Sequence, residues 1–153
     1  MIHKDVLMRQ IQQMTEALAQ ALALISDGRT DEAQREIAEA LDDLTDPGTL
    51  PLRERPVSDA IAHCTTRGTL SIDLALQVAH LLRHQGDLMR RQEQFEAALR
   101  SHVRALALYQ ALLAESNADT PLPLDIHDRM AHLNDAIDPE RLHDDERAAV
   151  DWS

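Results

Sequence analysis

The chain has 153 residues, with 27 acidic and 15 basic side chains, one cysteine and three aromatics, Phe95, Tyr109 and Trp152. That length fits one domain or two small ones, and an apolar share of 44% is enough for a core built from Leu, Ala, Ile, Val and Met. The lack of aromatics and the presence of only four glycines exclude a β-sandwich or barrel, and a net charge of −12 opposes both nucleic-acid phosphates and anionic membrane surfaces.

Residues 4–26 read as one helix. Leu7, Ile11, Met14, Leu18, Ala21 and Ile25 alternate at spacings of four and three, which holds them on one stripe. Asp27-Gly28 stops it, because glycine tolerates the left-handed conformation past a helix end. Thr30 is the expected N-cap of a second helix reaching Leu44, with Ala33, Ile37, Ala40, Leu41 and Leu44 inward. Asp46-Pro47-Gly48 ends it, and Pro47, Pro51 and Pro56 make 47–56 an extended, irregular connector.

Ser58-Asp59 predicts the cap of a short helix to about Thr66, and Gly68 separates it from the next. Ser71 is the expected N-cap of a long helix through Arg91, with Ile72, Ala75, Leu76, Ala79, Leu82 and Met89 as its apolar stripe. Gly86 sits inside it at a cost of about 1 kcal/mol relative to alanine, which a close helix contact would explain. A further helix spans 94–114, with Phe95, Ala98, Leu99, Val103, Leu106, Tyr109 and Leu113 as core candidates. A proline-containing loop covers 117–123, and 124–137 is helical through Ile126, Met130, Leu133 and Ile137. A last short helix is expected at 139–150, with Asp138 as cap and Pro139 at its first position, followed by a frayed acidic end. No segment shows the period-two alternation of a strand. These elements predict an all-α domain over 1–138, with 139–153 as a short helix and acidic tail.

The charge is unevenly spread. Residues 115–153 hold eleven acids and three bases, whereas 83–104 hold five arginines and three acids. The acidic tail is placed to pair with that basic face in its own chain or in a second copy; the alternative is a set of solvated arginines with no common partner. Cys64 is alone, so no disulfide forms within one chain, and its expected role is a small buried residue of a cytoplasmic protein. Asp5 near the start and the lack of an apolar stretch after a basic start argue against a signal peptide, and no apolar run approaches the ~20 residues of a membrane span.

Self-comparison is more specific. Residues 28–41 and 93–106 align so that Ala33 matches Ala98, Ala40 matches Ala105 and Leu41 matches Leu106. Two alanines seven apart followed by leucine let one helix approach another closely. The pattern resembles the second helix of a tetratricopeptide repeat. Gly86 and Ala21 then fall on the small position of the first helix, Leu82 and Ala17 on the position before it, Phe95 and Thr30 at the turn, and Gly28 on the turn glycine. By this resemblance 14–47 and 79–112 are two hairpins stacked as a short tetratricopeptide-like solenoid or an irregular bundle. The copies depart from the family in having Leu82, Met89 and His102 where aromatics are common, no closing proline after Leu108, and a 65-residue offset rather than two repeat lengths. The whole chain also resembles a group of small bacterial proteins of unknown function, through Asp5, Leu7, Arg9, Gln10 and Ile11 and the later Pro123–Ile126.

Chemistry is sparse. His80 and His84 are four apart, so one metal is reachable from both, with His102 or Asp87 as a third ligand; the bland alternative is a pair of polar-face or partly buried histidines. His127 and His132, near Asp128, are five apart and share no helical face. His63 and Cys64 are adjacent and diverge. The acid pairs Asp42-Asp43 and Asp144-Asp145 imply no pocket, and neither a phosphate loop nor a GxSxG is present. The chain is thus expected to be no enzyme and to need no cofactor. It reads as a cytoplasmic helical module binding a protein partner or itself as a homodimer, without nucleic acid or membrane. The resemblance places the binding face on the first helix of the C-terminal hairpin, with Arg83, Asp87, Arg90 and Arg91; Arg83 and Arg90 are spaced to clamp a carboxylate. Leu7, Ile11, Met14 and Leu18 form a seam fit to pack across a two-fold axis or to line the chain's own core. The alternative is a metal- or small-ligand-binding bundle, regulatory or enzymatic, using His80, His84 and His102.

Overall fold

The computed structural model describes residues 2–45, 48–116 and 122–151. The helix stop at Asp46 and Pro47, most of the 117–123 loop and the last aromatic, Trp152, lie outside the described residues. The architecture is all-α, with seven α-helices among the described residues. Helix α1 (Ile2–Ser26) buries Met14, Ala17 and Ala21, and Leu7, Ile11, Leu18, Leu24 and Ile25 pack partly buried against the same core. Helix α2 (Thr30–Asp43) runs back along it, with Ala33, Ile37, Ala40 and Leu41 buried. Thr30 is the first helical residue and Arg29 occupies the cap position without a side-chain cap bond, so the expected threonine cap is displaced by one residue.

The proline-rich connector is ordered where described: a 3₁₀ turn at Leu52–Glu54 buries Leu52 and leads to α3 (Val57–His63). This helix starts directly after Pro56, before the expected Ser58-Asp59 cap, and ends by His63. Thr65–Thr66 and Thr69–Leu70 then pair as a minimal antiparallel ladder. Its turn residues Arg67 and Gly68 both have positive φ, 55° and 80°, as a tight two-residue hairpin turn requires. Two residues per strand are too few for alternation to register in the sequence.

Helices α4 (Ile72–Arg91) and α5 (Phe95–Glu115) form the central hairpin. On one side α4 lies against both α1 and α2; on the other, α5 is covered by α3, by the 52–54 turn, by α6 (Ile126–Ala136) and by α7 (Asp144–Ala149). Burial of α5 on both sides explains why its buried positions run almost without interruption from Ala98 to Tyr109. Phe95, expected in the core, stands at the start of α5 and is 52% exposed.

The two hairpin turns are alike in detail. Gly28 has φ +77° and Glu93, 65 residues later, has φ +62°. The amides of Gly28 and Arg29 donate to the carbonyls of Ile25 and Leu24; those of Glu93 and Gln94 donate to Arg90 and Met89. The Gln92 side chain bonds Asp31 at 2.8 Å, and Gln34 reaches Gln94, so the turns lie side by side.

The C-terminal segment differs from expectation. Asp138 does act as a cap, its carboxylate accepting from the Glu140 amide, but over a 3₁₀ turn, Pro139–Arg141, and α7 begins separately. The segment is no loose tail through Asp151: Leu142, Glu146 and Val150 are buried.

Candidate functional site

The polar chemistry of the interior collects on two faces of α5. The first lies toward α4 and α6, where Tyr109 is fully buried. The Tyr109 hydroxyl lies 2.7 Å from His80 Nδ1, and His80 Nδ1 lies 3.0 Å from Arg129 Nη1. Arg83 Nε reaches the same hydroxyl at 3.3 Å, while Arg83 Nη2 is 3.2 Å from His84 Nε2. Guanidinium groups only donate, so the directions are determined. Arg83 donates to Tyr109 and to His84 Nε2, and Tyr109 and Arg129 share the single Nδ1 lone pair of His80. Both imidazoles must therefore be neutral. Burial, then the charges of Arg129 and Arg83, lowers His80 to about 3; burial and Arg83 lower His84 to about 4. Burial pushes the Tyr109 phenol up despite the two arginines. Arg129 is also held by Asp125 at 2.7 Å.

One turn further along α4, His102 Nε2 donates to Asp87 at 2.9 Å. Burial alone would raise the Asp87 carboxyl, but the His102 bond and the nearby charges of His102 and Arg83 hold it below the usual carboxylate range. Gly86 makes this contact possible, because a methyl group at Gly86 would collide with the His102 ring. Alongside, Ser101 donates to Gln85 at 2.9 Å.

The second face points toward α7. Glu146 is fully buried, with one carboxylate oxygen paired to Arg100 and the other 2.5 Å from Arg104 Nη1. Arg104 also donates to the Arg55 carbonyl at 2.6 and 2.9 Å, and Arg141 pairs with Glu96 at 2.9 Å. The chain matches no family profile, no curated protein and no solved structure.

These contacts sort the residues the sequence singled out. Arg83 and Asp87 are tied inward to Tyr109, His84 and His102, so Arg83 does not stand beside Arg90 as half of a free clamp. Arg90 and Arg91 are exposed. Arg90 edges a shallow cleft of about 140 Å³ with Phe95, Leu99, His102 and Arg141. Among the described residues, no three His, Cys, Asp or Glu side chains converge to hold a metal, and His80, His84 and His102 each bond elsewhere. Met14 of the α1 seam is wholly buried, and Leu7, Ile11 and Leu18 pack on this chain's own core; among the described residues, the large apolar side chains that α1 leaves exposed are Val6, Met8 and Leu22. Cys64 is buried, which pushes its thiol up to about 12 and makes it inert. No helix among the described residues is long and apolar enough to cross a membrane.

Sequence reasoning passed over the phenol of Tyr109, the guanidinium of Arg129 and the specific trio Arg100, Arg104 and Glu146. The only signal for the trio was the juxtaposition of a basic central segment with an acidic C-terminal one. Nothing in the sequence singled out Tyr109 except its place in an apolar stripe.

Proposed function

We propose that this protein is a non-enzymatic helical interaction module, two tetratricopeptide-like hairpins closed by α6 as a capping helix, which binds a protein partner and self-associates. The observation that carries this reading is the equivalence of the hairpin turns at positions 28 and 93, joined side by side through Gln92 and Asp31. Units stacked in register expose continuous helix faces, and such faces serve as binding surfaces in repeat proteins. The partner face is the rim of the cleft at the start of α5. There the exposed Phe95 ring lines one cleft with Arg90, Asp138 and Arg141, the last paired with Glu96, an aromatic anchor beside the exposed Arg90 that suits an acidic peptide. The surface for a second copy is the outer side of α1 around Val6, Met8 and Ile11, where an open cleft of about 540 Å³ also takes in Arg9 and Asp73.

Affinity capture from the native cell with the wild-type chain and an Arg90→Glu, Phe95→Ala variant tests the partner face: recovery of the same proteins by both baits removes it. Sedimentation tests the rest, since a monomer at micromolar concentration removes self-association.

A further inference from the structure

Helix α7 spans six residues, far fewer than a helix needs to persist on its own hydrogen bonds. What orders it is docking on α3 and α5. Its segment presents Leu142, Glu146 and Val150 at successive four-residue spacings, all buried. The glutamate is held between Arg100, which also pairs with Glu96 at 3.2 Å, and Arg104. Two other grips act on main chain: Arg100 donates to the Arg141 carbonyl at 3.2 Å, and the Gln110 amide closes a ring with Asp151, donating to its carbonyl at 2.8 Å and accepting from its amide at 2.9 Å. A two-arginine fork for one carboxylate, pockets for two aliphatic side chains and an amide clamp on the backbone together form a peptide receptor. The receptor extends beyond its occupant. An open cleft of about 620 Å³ adjoins the arginine pair, with Leu50, Arg53, Glu54, Glu96, Ala97 and the resident segment's His143 in its walls. Leu50 is 61% exposed, and Arg53 makes no ion pair among the described residues.

We propose that this face of α5 is a docking groove for an acidic segment of a protein partner that forms a short helix around a glutamate, with an aliphatic residue on an extended flank four positions before and four after it, and that residues 142–150 occupy it in the free protein. The inference rests on the reading of the chain as an interaction module but is centred on Arg100 and Arg104 rather than on Arg90 and Phe95. The incoming glutamate takes over Arg100 and Arg104, and the aliphatic residues replace Leu142 and Val150. Continuation of the partner into the cleft adds contacts to Leu50 and Arg53 that the resident segment does not make.

Hydrogen exchange on the intact wild-type chain tests this, with a synthetic peptide of residues 138–151 as probe and the same peptide with Glu146→Gln as its comparison. A tethered segment competes at an effective concentration on the order of millimolar, so the peptide is supplied at that level. The expected result is that the peptide raises exchange of the 144–149 amides severalfold while α5 stays protected, and that the Gln peptide is at least about tenfold less effective. Equal effects of the two peptides would overturn carboxylate recognition. Exchange of 144–149 at the rate of α5, unmoved by either peptide, would show that the segment is a fixed part of the fold. Exchange of 144–149 that depends on protein concentration, with a dimer in sedimentation, would assign the groove to a second copy and overturn the partner assignment. None of these outcomes depends on the Arg90 and Phe95 capture, which bears on the interaction-module reading alone.

Discussion

The first hairpin and the second share a turn geometry and part of their buried seam, and differ in the polarity of the rest. At an offset of 65 residues, Ala33, Ala40 and Leu41 correspond to Ala98, Ala105 and Leu106, and all six are buried. Yet Ile37 corresponds to His102, Leu44 to Tyr109 and Ala21 to Gly86. The outward faces diverge as well: Arg35 and Glu39 of α2 are in solvent, while their counterparts Arg100 and Arg104 are covered by α7. The α1–α2 pair has neighbours on one side, so its polar residues stay wet. The α4–α5 pair has neighbours on both sides, so its polar residues must find partners within the fold. One backbone plan thus carries an apolar interior in one place and a hydrogen-bonded network in the other, according to what covers it.

The largest expected break in that comparison is at the covered face. Glu146→Ala leaves the buried Arg104 guanidinium without its carboxylate and Arg100 with Glu96 alone, and should cost about 3–5 kcal/mol in denaturant unfolding, whereas Glu39→Ala on α2 should change stability by less than about 0.5 kcal/mol. Because desolvation offsets most of what such an ion pair contributes, the triple change Arg100→Met, Arg104→Met, Glu146→Leu should recover most of the loss. A loss from Glu146→Ala no larger than that from Glu39→Ala would contradict the burial of the trio.

A second contrast is in pH. His80 and His84 titrate at about 3 and about 4 in the fold and near 6.5 when unfolded. Below pH 6.5 the unfolded chain binds protons that the native chain refuses. Stability is therefore whole above about pH 6.5 and falls as pH drops toward 4, by an amount on the order of 3 kcal/mol for each histidine. Helix α2 contains no histidine. The pair His80→Gln, His84→Gln should flatten the slope of unfolding free energy between pH 6.5 and 4; an unchanged slope would mean that other groups cause it.

Gly86→Ala tests the tight helix contact. The added methyl improves helix propensity by about 1 kcal/mol but displaces the buried His102 ring, at about 1–3 kcal/mol. A net loss of roughly 1 kcal/mol is expected in thermal or chemical unfolding, relieved when His102→Ala is added. The smallest effect is at the turns. Gly28→Ala places a side chain at positive φ and should cost about 1 kcal/mol, while Glu93→Gly at the matching position should gain roughly 0.5 kcal/mol. Opposite signs at two sites 65 residues apart would express their shared geometry in one measurement; equal signs would refute it.

Much of the fold was legible in the sequence because helices announce themselves locally. The stripes of α1, α2, α4 and α5, the left-handed residue at Gly28 and the role of Asp138 as a cap follow from near-neighbour spacing and backbone sterics. Boundaries slipped where a cap depends on which side chain the neighbouring packing leaves free, as at Thr30 and Ser58. Phe95 illustrates a different limit: its spacing fits the core stripe, but it lies at the first position of α5, beyond the helices that bury the rest of that stripe. Arg83 and Asp87 looked like surface residues because charge normally stays in solvent. Their inward turn depends on Tyr109 and His102, which lie across the hairpin and are not neighbours in sequence.

The sequence by itself determined that the chain is helical, where its main hairpins turn, and that an aromatic-poor core must be made from Leu, Ala, Ile, Val and Met. Those properties are set by interactions within a few residues, and a 3.6-residue period records them directly. Only the tertiary structure decided that Glu146 lies between Arg100 and Arg104, that His80 accepts from Tyr109 and Arg129, and that Met14 belongs to the interior. Each of these depends on bringing together residues from different helices, and the cost of burying a charge or a hydroxyl becomes known only when the covering helix is in place.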